Sequence, residues 1–303
     1  MSMKSQDIMR PDFLLIGAQK SGTTWLWRIL DQHPGTDLPQ KKEIHFFGGV
    51  EIYRKGREWY YSHFENLDSS KVSGEASTTY LYDNIPYWYN PTHDLQHDHS
   101  LPAIPELITN ELPNIKILVV LRDPVWRAVS AYKHYVRVGF ISPLFGLEKA
   151  AKQRPKLRIL EYGHYAQYIR LWEEVVPPER MRIFIFEHDI VIRAEETARN
   201  AYGFLGLDAG FKPDNLRRPA NKSWGWTRLL LDYYTGQSVR KVCRNRAVNR
   251  VFNWLDRLDP FKHFVVRKRD IEFLRSVYLP AKSELEGLIG RNLDCWDYGC
   301  RKA

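Results

Sequence analysis

Cysteine is scarce in this sequence, with only Cys243, Cys295 and Cys300 among 303 residues, which excludes a disulfide-stapled scaffold. The spacing of Cys295 and Cys300 would admit a bridge, but two reduced thiols suit so thiol-poor a chain better. No run approaches 18 apolar residues and the first ten residues are polar, so neither a spanning helix nor a signal peptide is expected, and a cytoplasmic location is. Acidic residues are outnumbered, 36 against 45 Lys plus Arg, for a formal charge of +9. That balance suits anionic partners: a polyanionic nucleotide, an acidic glycan, nucleic acid or an anionic lipid surface. There is no internal repeat and no linker-like stretch, so a single domain over 1–303 is expected, with its core at about 11–298.

The most organised stretch, Asp12 to Leu30, is also defined by something missing. Phe13 to Ile16 is a short apolar run of the kind found in a strand buried on both faces, and it breaks at a turn containing Gly17, Ser21 and Gly22. Leu26, Ile29 and Leu30 then recur at helical spacing, so the turn aims backbone N–H groups and a helix N-terminus at one point, an anion site. A nucleotide triphosphatase loop requires Gly, four residues, then Gly-Lys and Ser or Thr. Gly17 and Gly22 have that spacing, but Thr23 occupies the lysine position and the loop's lysine is Lys20. A cation there sits over the bound anion, which suits a transferred group attached close to a 5'-phosphate.

Elsewhere, buried strands alternate with helices: Ile115 to Leu121, a helix from Asp123-Pro124, an amphipathic segment Tyr162 to Trp172, a strand Met181 to Phe186 and a helix Ala194 to Leu205 closed by Gly206. This alternation predicts an α/β fold with an open parallel sheet flanked by helices. Arg122 falls at a strand's C-terminal end, the sheet edge where such folds bind ligands, and Ser130 follows eight residues later on the helix. In Lys41-Lys42-Glu43-Ile44-His45-Phe46-Phe47 an extended backbone would put Glu43 and His45 on one face. Either could act as a base; a surface carboxylate paired with Lys41 or Lys42 is the plain alternative.

Together these residues carry a resemblance. Lys20-Ser21-Gly22-Thr23-Thr24 after a buried strand resembles the 5'-phosphosulfate loop of the sulfotransferases that use 3'-phosphoadenosine-5'-phosphosulfate (PAPS), and Arg122-x-Pro124 with Ser130 resembles their 3'-phosphate motif. Lys42-Glu43-x-His45-Phe46-Phe47 is similar to the segment that supplies the catalytic glutamate in the glycan-modifying branch, which includes the heparan sulfate enzymes. The resemblance implies the P-loop-like sulfotransferase fold, PAPS as donor, 3'-phosphoadenosine-5'-phosphate (PAP) as product and no required metal. It implies Lys20 at the leaving phosphate, Ser21, Gly22, Thr23 and Thr24 around the 5'-phosphate, and Arg122 with Ser130 on the 3'-phosphate. Glu43 becomes the first choice as base, its pKa raised by Phe46 and Phe47, with His45 second. Trp25 could stack on adenine or simply fill core, and Arg218 and Lys222 fall where the family closes a basic loop over the 3'-phosphate. The chain departs from the heparan branch at Ala76, where a lysine is expected, leaving Lys20, with Lys41, as the cations over the sulfuryl group. The acceptor would carry a hydroxyl or amine: a carbohydrate, a glycolipid or a small natural product.

Two segments stand apart from those motifs. Residues 84–105 combine four prolines with His93, Asp94, His97, Asp98 and His99, and read as a loop at a pocket mouth in preference to a metal site. Leu229 to Arg269 interleaves basic and aromatic residues and would line an acidic acceptor groove, lie on anionic membrane, or form a core helix with a solvated charged face. The rival functions are a P-loop kinase using ATP and magnesium through Asp123, and a non-enzymatic module binding acidic glycans or nucleic acid through the 240–269 stretch. Neither rival explains both ordered motifs.

Overall fold

The computed structural model describes residues 9–82, 102–216, 224–236, 238–258 and 266–297. The described residues gather into two compact units, one within 1–123, 165–220 and 283–303, the other within 124–164 and 221–282.

The first unit is built on a parallel sheet of four strands in the order β2-β1-β3-β4, with β1 at Phe13–Gly17, β2 at Gly74–Ala76, β3 at Lys116–Leu121 and β4 at Met181–Ile185. Every residue of β1 is buried, as its uninterrupted apolar run requires of a central parallel strand. Around the sheet lie α1 (Thr23–Asp31), α2 (Val50–Tyr53), α3 (Gly56–Tyr61), α4 (Ile104–Glu111), α7 (Tyr165–Glu173), α8 (Ala194–Leu205) and α13 (Lys282–Ile289). One face of the sheet presents Phe13, Leu15, Ala76, Leu118, Val120 and Phe184 to Leu26, Ile29 and Leu30 of α1 and to Ala198, Ala201, Tyr202 and Leu205 of α8. The helix α8 ends at Gly206, whose left-handed backbone (φ 82°) closes it where the sequence placed its stop.

The second unit is helical: α5 (Pro124–Val138), α6 (Leu147–Gln153), α9 (Trp226–Tyr234), α10 (Ser238–Val242), α11 (Arg246–Leu258) and α12 (Lys268–Tyr278). Here α5 packs against α9, α6 and α12, while α11 packs on α9.

Candidate active site

Because β1 and β3 are hydrogen-bonded neighbours running in the same direction, the loop after β1 and the residues after β3 share one edge of the sheet. There the Arg122 guanidinium donates to the Lys20 carbonyl over 3.2 Å and lies 4.8 Å from the centre of the Phe186 ring. Two motifs separated by about a hundred residues in sequence are thus joined directly. Gly22 begins α1 with φ 101°, a left-handed conformation, and a Cβ there would stand 2.6 Å from Phe186. Glycine is needed on both counts, backbone and space.

The loop fits an anion. Helix α1 has no side-chain cap; the Trp25 amide bonds the Gly22 carbonyl, which leaves the Thr23 and Thr24 amides at the open N-terminus. Ser21 Oγ and Gln19 Oε1 are buried with no hydrogen-bond partner among the described residues, which is costly unless a ligand or water supplies one. Lys20 adopts φ 66°, Thr23 is buried and Thr24 half-buried. Thr24 Oγ1 accepts from Lys42 Nζ at 3.4 Å, so the second cation brought to the loop is Lys42; Lys41, expected there, instead lies 5.4 Å from the Trp59 ring. Trp25 is 5% exposed, sits among the core residues and donates its indole N–H to the Leu216 carbonyl at 2.7 Å; of its two candidate roles, this geometry serves the core.

Glu43 and His45 do come together, through a positive-φ backbone at His45 and not through an extended one. His45 has φ 61°, which folds the chain so that Nε2 reaches Glu43 Oε2 at 3.2 Å while Nδ1 meets Thr79 Oγ1 at 3.0 Å. Lys42 Nζ approaches the other Glu43 oxygen at 3.1 Å. The expectation that Phe46 and Phe47 raise the Glu43 pKa is corrected. Burial does push this carboxyl up, but the hydrogen bond from His45 and the charges of Lys42 and His45 outweigh it and hold it down to about 2. Phe46 and Phe47 turn instead into a cluster with Tyr53 and Tyr60. His45 is buried, whereas the Glu43 side chain keeps 38% of its surface exposed, so Glu43 is the member of the pair open to solvent.

The sequence reading gave no role to Glu75, on β2, which shapes this turn. Its fully buried carboxylate accepts from the amides of Ile44 and His45, each at 3.2 Å, and from the hydroxyls of Ser77, Tyr80 and Tyr60. Burial pushes its pKa up, against the hydrogen bonds from Ser77 and Tyr80. The available signal was an acid placed between Gly74 and Ala76 in a strand. A second overlooked acid, Glu187, follows β4; it stands 3.8 Å from Arg122 and accepts from the Asp123 amide and from Trp296 Nε1. Burial raises its pKa, with the Arg122 charge opposing.

Ser130 lies half-buried on α5 in the second unit. Arg218 and Lys222 lie outside the described residues, as do His93, Asp94, His97, Asp98, His99 and Cys300. Among the described residues, no group of His, Cys, Asp and Glu is arranged to hold a metal, and no helix is long and apolar enough to cross a membrane.

Comparison with known proteins bears on this edge directly. The chain is similar to a Caenorhabditis elegans bifunctional heparan sulfate N-deacetylase/N-sulfotransferase 1, 29% identical over 210 residues covering 65% of this chain, and to a Dictyostelium discoideum membrane-associated sulfotransferase kil1, 38% identical over 125 residues covering 40% of it. The matched region amounts to 22% of the length of either relative. A solved sulfotransferase from Alicyclobacillus acidocaldarius shares the fold, with TM-score 0.67 at 23% identity over 96% of this chain and 100% of that one. The family model for the sulfotransferase domain matches residues 10–223, a span that takes in the anion loop, the Glu43 turn, Glu75, Arg122 and Glu187. The chain therefore belongs to the sulfotransferase family.

Proposed function

We propose that the enzyme moves a sulfuryl group from PAPS to the hydroxyl or amine of a carbohydrate, glycolipid or small natural product. The observation that carries this reading is the junction of Arg122 with the Lys20 carbonyl, beside a loop whose Ser21 hydroxyl is buried with no partner among the described residues. A donor bearing phosphates at both 5' and 3' positions would use both parts of that edge, whereas a simple triphosphate would not need Arg122.

In this reading the amides at the start of α1, with the Ser21, Thr23 and Thr24 hydroxyls, hold the 5'-phosphate, and Arg122 takes the 3'-phosphate as a fork-shaped cation. Ser130 joins Arg122 by the family spacing, and Arg218 and Lys222 are carried as further contacts on the same ground. Lys20 and Lys42 stand at the transferred group, where charge builds on the leaving oxygen in an in-line transfer. Glu43 receives the acceptor proton and His45, hydrogen-bonded behind it, fixes the carboxylate's orientation. A carboxylate held near 2 by the His45 hydrogen bond and by the charges of Lys42 and His45 is a weak base; it gains some basicity when Lys42 turns its charge to the sulfuryl oxygens.

Calorimetric titration with PAP and with ATP, each with and without magnesium, tests the donor. Metal-independent PAP binding, weakened by roughly 1.5–3 kcal/mol in Arg122→Ala, is the expected result. A preference for ATP with magnesium would overturn the reading in favour of a kinase.

A further inference from the structure

The helix α11 is inverted. Its inner face carries Asn249, Asn253 and Asp256, whose side-chain oxygens accept from the buried Arg228 of α9 at 2.9, 3.4 and 3.3 Å. Asp256 also accepts from the Gly225 amide at 2.9 Å, and Arg228 lies 4.1 Å from the Trp224 ring centre. With these polar residues turned inward, the apolar stripe faces solvent: Val251, Trp254, Leu255 and Leu258, spaced i, i+3, i+4, i+7, are between 40% and 59% exposed. Neighbouring α9 and α10 also expose Leu231, Tyr234 and Val242.

Among the described residues of α9–α11, the exposed charge has one sign. Lys241, Arg244, Arg246 and Arg250 are exposed, while the two acids of the α9–α11 stretch, Asp232 and Asp256, are turned inward. A second copy would be a poor cover, because a two-fold contact sets the patch against itself and brings cation to cation. A polyanionic glycan would satisfy the cations but leave Trp254 and Leu258 in water. A surface that is both anionic and apolar just beneath its charges satisfies both.

We propose that the outer face of α11 docks on an anionic lipid membrane, with Val251, Trp254, Leu255 and Leu258 entering the headgroup–acyl boundary and Arg246 and Arg250 on the lipid phosphates. This is peripheral binding, independent of the donor and acceptor assigned above.

The full chain is sedimented with vesicles of phosphatidylcholine, and with vesicles in which about a third of the lipid is phosphatidylglycerol. Binding to the anionic vesicles is expected, reduced roughly tenfold or more by the pair Trp254→Gln/Leu258→Gln and separately by the pair Arg246→Gln/Arg250→Gln. All four residues are exposed, so the thermal midpoint of each variant should match the parent and a folding defect is recognised at once. Failure to bind anionic vesicles would overturn the proposal, and so would binding that ignores the Trp254/Leu258 pair. Equal binding to phosphatidylcholine alone would remove the role of charge. Reversible self-association that disappears in the Trp254/Leu258 variant would assign the face to a second copy instead.

Discussion

Glu75 in the first unit and Arg228 in the second are both buried ionisable side chains that gather partners from a distant segment, yet they leave those segments with opposite things to offer. Glu75 consumes backbone amides, those of Ile44 and His45, so the side chains of Glu43 and His45 stay available for chemistry. Arg228 consumes side chains, those of Asn249, Asn253 and Asp256, so the polar half of α11 is used up internally and its apolar half is shown to solvent. Whether a buried charge binds main chain or side chain therefore decides what the bound segment presents to a ligand.

The comparison breaks most visibly if Glu75 is removed. Glu75→Ala leaves the buried Ile44 amide and three hydroxyls without this acceptor and the His45 amide with Ser77 Oγ alone, and the expected loss of stability is about 3–5 kcal/mol by urea denaturation. Glu75→Gln should recover most of it, since the amide oxygen can face the four donors at Oε1 and the NH2 can donate to Tyr60. A Glu75→Ala variant as stable as the parent would mean that the turn holds itself and that Glu75 is incidental.

A smaller effect is expected from Arg228→Met, about 2–4 kcal/mol, because Asp256 keeps the Gly225 amide and some contact with water. The methionine can fill much of the space beside Trp224 and Phe252. What distinguishes this variant is the target of the damage: α11 should lose amide hydrogen-exchange protection before α5 or α12 does. Uniform loss of protection through the unit would show that Arg228 supports the whole helical unit and does not specifically aim α11.

Much of the first unit is legible in sequence because its signals are local. The apolar run of β1, the glycine spacing of the loop, the Arg122-x-Pro124 stop and the Gly206 helix end each depend on neighbouring residues alone. What the sequence did not convey depends on residues brought from afar. The backbone of Glu43 to His45 was not legible because the amides of Ile44 and His45 bond to a carboxylate on another strand, and the positive φ at His45 accompanies that capture. Phe46 and Phe47 were expected to dry out Glu43, but Tyr53 and Tyr60 draw their rings away while Lys42 remains beside the carboxylate. The period of α11 is plain in sequence, and its orientation is not, since a helical stripe conventionally faces the core unless something like Arg228 holds the other side.

The smallest effect sharpens the comparison through its sign. The Glu43 pKa falls from the usual 4.5 to about 2 on folding, so its contribution to stability is present above 4.5 and is lost as pH drops toward 2. With the side chain 38% exposed, solvent screening limits that contribution to about 0–1 kcal/mol. Glu75 behaves oppositely: its pKa is raised, so its contribution is full below the unfolded value and is lost as pH rises through the folded one. Denaturation of the parent, Glu43→Gln and Glu75→Gln across this pH range gives two difference curves. The Glu43 curve should rise with pH between about 2 and 4.5, and the Glu75 curve should fall as pH climbs past 4.5. Curves of the same slope would mean that the two carboxylates share one electrostatic environment, and the division between an exposed reacting acid and a buried organising one would fail.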